Sequence, residues 1–179
     1  MNTPLSPQER IRRVALLCTH CFRNFAFYRA GWKGFHLQAK TQFLSTANSG
    51  FIDIGYLEWC KLFADLKGNH HWHKVIRDHQ NFESELLNFL KITPEEFSTY
   101  IQAVRTYRDK FIAHLDDERV MHPPKTKIAR NSAAFLYDYL RVHPEASQSL
   151  QDANLTGREY YEHLYRHAFF AYKNVLQRD

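Results

Sequence analysis

Three places in this chain carry the same helix-start chemistry, and together they constrain its fold more than any bulk property. Ser6 to Glu9 (SPQE) and Thr93 to Glu96 (TPEE) each set a hydroxyl before a proline and a glutamate two residues after it. Thr156 to Glu159 (TGRE) repeats the hydroxyl and the glutamate. In such capping boxes the hydroxyl and the carboxylate each satisfy a backbone donor that the first helical turn leaves unpaired. Proline suits the first helical position because no N–H is needed there. With only 6 Gly and 6 Pro, the chain is also poor in the turn residues that many short strands require. The sequence therefore predicts an all-α fold, a single helical bundle of about six or seven helices over residues 1–179.

Hydrophobic periodicity places these helices along the chain. The first is expected from Pro7 to Ala30, with Val14, Leu17, Cys18, Cys21, Phe22 and Phe25 on its inward face and Gly31 as its stop. A second is expected from Phe35 to Ala47, broken at Asn48-Ser49-Gly50. A third runs from Phe51 to Leu66, burying Tyr56, Trp59, Leu62, Phe63 and Leu66. Lys67 to His73 reads as a loop, and Trp72 to Ile92 as helical with an interruption near Asn81. The fifth helix spans Pro94 to Asp116. Pro123 and Pro124 make Asp117 to Lys127 a linker. A sixth helix is expected from Ile128 to Val142, then a polar linker from Pro144, then a last helix from Gly157 to Leu176.

Composition narrows the function classes. Hydrophobic residues at 44% and charged residues at 24% belong to a chain that can build a core, not to a disordered one. No run of about twenty apolar residues is present to cross a membrane, and the N-terminal stretch has no apolar signal core. Three cysteines, an odd number in apolar surroundings, do not form a disulfide framework, so a cytoplasmic setting is expected. The net charge of +5 permits a polyanionic partner such as RNA without requiring one.

One helix breaks its own pattern. Counted at about 100° per residue from Phe97, the positions Ile101, Val104, Phe111, Ile112 and Leu115 form an inward stripe, and Arg108 falls about 20° from its origin. An arginine on an apolar face is costly unless its head is paired or reaches water. Arg108 either snorkels to the surface, pairs with a carboxylate, or borders a groove or dimer seam. His114 falls beside Tyr107 at the edge of the stripe, about 120° from Arg108.

The stretch Tyr107 to Asp116 (YRDKFIAHLD) resembles the signature of the HEPN domain superfamily (higher eukaryotes and prokaryotes nucleotide-binding). That signature is an arginine, often followed by a polar residue, and closed by a histidine. Here Asp109 follows Arg108, and Ala113-His114 ends the motif. With Glu58 to Ile76 upstream (EWCKLFADLKGNHHWHKVI), the chain looks most like the abortive-infection branch of that superfamily, over roughly residues 50 to 120. The resemblance implies a HEPN-like bundle, a homodimer, and metal-independent cleavage of RNA in phage defence or a toxin–antitoxin system. An antitoxin protein is then a possible partner, and no cofactor is implied. Arg108 and His114 would be the catalytic pair; Asp109, Lys110 and Tyr107 would support them or touch the RNA. The same resemblance also covers inactive members, which implies the alternative of an RNA- or nucleotide-binding or interaction module. Because the two motif side chains lie on different helix faces, they are expected to meet across the dimer.

Other constellations are weaker. His70, His71 and His73 suggest a metal chelate, but no Cys or acidic ligand stands at a zinc spacing, so a polar loop or an RNA contact is the expectation and no metal site is assigned. Cys18 and Cys21 both fall on the inward face of the first helix and read as small buried hydrophobes, with Cys60 alone elsewhere. The aromatic run from Tyr160 to Asn174 reads mainly as core, and Lys125, Lys127 and Arg130 as a small basic patch.

Overall fold

All three capping boxes form. In a computed structural model, which describes residues 5–39, 41–113, 123–143 and 146–175, Glu9, Glu96 and Glu159 each accept from the backbone N–H of their hydroxyl residue at 2.8 Å. Ser6, Thr93 and Thr156 return the bond at 3.2–3.3 Å. They open α1 (Pro7–Ala30), α4 (Pro94–Tyr107) and α6 (Gly157–Val175). With α2 (Gln42–Phe63), α3 (His79–Leu90) and α5 (Thr126–Val142), the described residues hold six helices, and the fold is an all-α bundle. None of these helices is long and apolar enough to cross a membrane.

The expected second and third helices are one. Asn48-Ser49-Gly50 lies inside α2, which starts at Gln42 with Thr41 as its cap. A glycine within a helix costs about 1 kcal/mol against alanine, and here tertiary packing outweighs it. Asn48 is 1% exposed. Its amide donates to the Tyr28 carbonyl and the Tyr172 hydroxyl, and its Oδ1 accepts from the Trp32 indole. Phe35, expected to begin a helix, belongs instead to a turn between the two short strands β1 (Trp32–Lys33) and β2 (His36–Leu37). Gly34 makes that turn possible with φ of +59°. Leu66 is 55% exposed, because α2 ends at Phe63 and the inward stripe ends with it. The break before α3 spans Val75 to Asp78, not Asn81, since Asp78 caps the new helix by accepting from the Asn81 N–H.

The core is aromatic and centred on α2. Trp59 is fully buried, stacked on Phe63 and edge-on to Tyr100 of α4, while its indole donates to Ser132 of α5 at 2.8 Å. Helix α1 runs antiparallel to α2, with Phe25 against Tyr56 and Phe27 against Phe51. Helix α6 runs alongside α1, from the Phe22–Tyr160 contact to the packing of Tyr172 on Ala30. Cys18, Cys21 and Cys60 are free thiols buried in this core. Burial pushes the Cys60 thiol up to about 11 and raises the other two as well. The linker before α6 makes a short 3₁₀ turn (Ser147–Leu150) and is held at two carbonyls, Ser149 by Arg12 and Ala153 by Arg141.

Candidate functional site

The site is built where α4 meets the carboxyl end of α2. The last turn of any helix presents unpaired carbonyls and a partial negative charge, which cations stabilise. Arg105 in the last turn of α4 and Arg108 directly after it supply two, three residues apart and therefore on one side. Arg105 donates to the Ala64 carbonyl that follows α2. Arg108 donates through Nη1 to Asp65 at 2.6 Å and through Nε to Asp109 at 2.8 Å. The two carboxylates raise the already high pKa of Arg108, Asp109 most, so the guanidinium is charged at every working pH. Cys60 packs beside it, and the positive charge offsets part of the burial that pushes the thiol up.

Arg108 does not sit in the middle of the inward stripe. The residues α4 buries are Phe97, Tyr100, Val104 and Tyr107, so the centre of its face lies between Phe97 and Tyr107 and Arg108 stands on the flank. Its side chain is 21% exposed, against 40% for Asp65 and 59% for Asp109. A stripe counted from Phe97 alone misplaces the centre because Tyr100 and Tyr107 are amphipathic. Their rings are buried while their hydroxyls each find a partner. Of the three sequence readings of Arg108, pairing with a carboxylate is what the single chain contains.

At Arg108 the helix changes its hydrogen bonding. Residues Arg108–Ala113 form a π-helical turn that continues α4 without a break. Such i→i+5 turns are rare, and they occur often at functional sites. They also advance fewer degrees per residue than an α-helix, so the count of about 100° per residue holds along α4 and not along Arg108–Ala113. His114 itself lies outside the described residues, as do Leu115 and Asp116.

The chain on either side of that segment is firmly held. Tyr107 is 2% exposed, and its hydroxyl donates to Asp53 at 2.6 Å while its ring packs on Tyr56 and Phe111. Burial and the nearby carboxylate both raise its pKa. Downstream, Tyr56 donates to the Pro124 carbonyl and Tyr100 to the Lys125 carbonyl. Lys110 and Asp109 lie on the outer side of the π turn, half-exposed and exposed. Tyr107 thus fixes the helix from inside, whereas Asp109 touches Arg108 directly.

The histidine loop supports the same end of α2. His71 is 3% exposed; its Nε2–H donates to the Phe63 carbonyl at 3.2 Å and its Nδ1 accepts from the His73 N–H at 3.3 Å. Both nitrogens are thereby used, in a neutral tautomer. Burial, above all, brings its pKa down to about 4. His73 stacks on His79 at 4.3 Å, and burial lowers the pKa values of His73 and His70 as well. Among the described residues no group of three His, Cys, Asp or Glu side chains comes together around a common metal position, in this loop or elsewhere.

Three contributors were not visible in the sequence. Asp65, Asp53 and Arg105 act through partners 43, 54 and 41 residues away. The one available signal was the three-residue spacing of Arg105 and Arg108, which places both on one side of a helix. Chemically, the cluster is a preorganised, half-exposed cation whose donors point at carboxylates. An incoming phosphate would compete with these two carboxylates for the guanidinium. Compared with protein-family models, with curated proteins and with solved structures, the chain gives no match in any of the three.

Proposed function

We propose that this chain is a metal-independent endoribonuclease of the HEPN type, acting as a homodimer in phage defence or a toxin–antitoxin system. The observation that carries the reading is Arg108: a cation fixed at the edge of an apolar helix face, opening the π turn that leads to His114. In this reading His114 exchanges a proton with the substrate 2′-hydroxyl or the leaving 5′-oxygen, as imidazole can near neutral pH. The 2′-oxygen attacks the adjacent phosphorus, the bond to the 5′-oxygen breaks, and a 2′,3′-cyclic phosphate and a 5′-hydroxyl result. Arg108 holds the phosphate and stabilises the charge that builds on its oxygens. Asp109 orients Arg108, and Lys110 contacts the RNA backbone. A bacterial antitoxin protein is the partner such a system would add.

The test is cleavage of RNA in EDTA by wild type, Arg108→Ala and His114→Ala. The expected result is cleavage by wild type and a loss of about 10²–10⁴-fold in each variant. Normal cleavage by both folded variants sinks the proposal.

A second reading has its own observation. Arg108 is already satisfied by Asp65 and Asp109, and it clamps the end of α2. On that basis the chain is a non-catalytic HEPN-like module that binds RNA or a nucleotide, or simply closes an interface. RNA binding without product favours it. A lower melting temperature in Arg108→Ala with unchanged binding favours a purely structural arginine.

A further inference from the structure

We infer that α6 carries a binding site for a borderline d-block cation, of the Zn²⁺ class, formed by His163 and His167. The two residues are four apart on one helix, the spacing that stacks side chains one turn above the other. Their ring centroids lie 4.5 Å apart at an angle of 43°. Two imidazole nitrogens bound to one Zn²⁺ at about 2.0–2.1 Å lie about 3.3 Å apart, which places their ring centres about 5 Å apart. The observed centroid distance of 4.5 Å is close to that value.

Their surroundings make this pair different from the histidines of the loop before α3. Both nitrogens of His71 are bonded to the backbone, and Nε2 of His79 lies 3.0 Å from the His73 carbonyl, within the hydrogen bond that holds that stack. Among the described residues, His163 and His167 meet each other and form no hydrogen bond to protein. Both are exposed, yet the backbone beneath them is rigidly docked, because Ala168 and Tyr172 are buried against Ala30. A chelating pair on a fixed helix loses little freedom on binding, and neutral imidazole is a favoured ligand for Zn²⁺, Ni²⁺ and Cu²⁺.

The neighbouring acids set the stoichiometry. Glu159, one turn before His163, is held by Thr156 in the capping box, and Glu162 accepts from Arg158 at 2.9 Å. Neither is free to serve without breaking its own contact. The ion is thus held by two protein ligands, and water fills the remaining positions, which makes the site exchangeable.

The experiment is equilibrium dialysis of the full chain, stripped with EDTA, against Zn²⁺ alone. Wild type is compared with His163→Asn, His167→Asn and, as a control in the histidine loop, His73→Asn. The expected result is one Zn²⁺ bound per chain by wild type and by the control. Each α6 variant weakens binding by roughly tenfold or more, since one of two ligands is lost. Both α6 histidines are exposed, so unchanged helicity by circular dichroism is expected alongside. No binding by wild type overturns the site, as does full binding by both α6 variants or an equal loss in the control.

Discussion

His71 shows how a residue that reads as a surface ligand becomes part of the core. Its two ring nitrogens bridge the Phe63 carbonyl and the His73 N–H, and burial brings its pKa down from 6.5 to about 4. The folded chain keeps this histidine neutral, whereas the unfolded chain takes up a proton near pH 6.5. Its contribution to stability is therefore complete above pH 6.5 and is lost as pH falls towards 4. Between pH 7.5 and pH 5 that loss comes to about 2 kcal/mol. Urea unfolding of wild type and His71→Gln at the two pH values measures it: the acid loss should be smaller by about that amount in the variant. An equal loss in both chains would show that another group carries the linkage. The residue scale also holds the main limit of reading from sequence. Asp65 and Arg108 are neighbours only because α2 and α4 pack, and a spacing rule cannot see a pair 43 residues apart.

At the scale of elements, local signals decided starts better than interiors. The capping boxes at Ser6, Thr93 and Thr156 mark three helix starts, because the bonds that define them are made within four residues. The glycine at position 50 gave the opposite lesson, since a weak local break was overridden by the packing of Asn48, Ile52 and Tyr56. Two glycines therefore predict opposite outcomes. At Gly50 an added Cβ meets nothing within 4 Å, so Gly50→Ala should stabilise the chain by up to about 1 kcal/mol through helix propensity. At Gly157 it would lie 2.9 Å from the Ala134 Cα and 3.0 Å from the Phe22 ring, where α6 starts against α5 and α1. A backbone atom cannot give way cheaply, so Gly157→Ala should destabilise by about 1–3 kcal/mol. Denaturant midpoints of the two variants check the pair, and a shared sign would contradict this view of how the helices pack. The wheel for α4 failed for a related reason. Tyr100 and Tyr107 carry buried rings with bonded hydroxyls, so they shift the buried face away from Arg108.

For the whole molecule, the all-α bundle and its aromatic core were legible because they follow from composition, periodicity and capping. The hairpin at Trp32–Leu37 and the π turn at Arg108–Ala113 were not, since each is a departure fixed by its surroundings. The candidate site was half legible: Arg108 and Asp109 stand together in sequence and structure, whereas Asp65 and Arg105 emerged only from the packing of α4 on α2. The functional proposal adds one claim at this scale, that Arg108 of one protomer works with His114 of the partner subunit. Mixing Arg108→Ala with His114→Ala tests it most directly, with RNA cleavage in EDTA as the readout. Each variant alone should be inactive. A two-fold heterodimer retains one of its two pairings, so an equal mixture should recover roughly a quarter of wild-type activity. A mixture that forms heterodimers and stays as inactive as its parts would contradict the composite site.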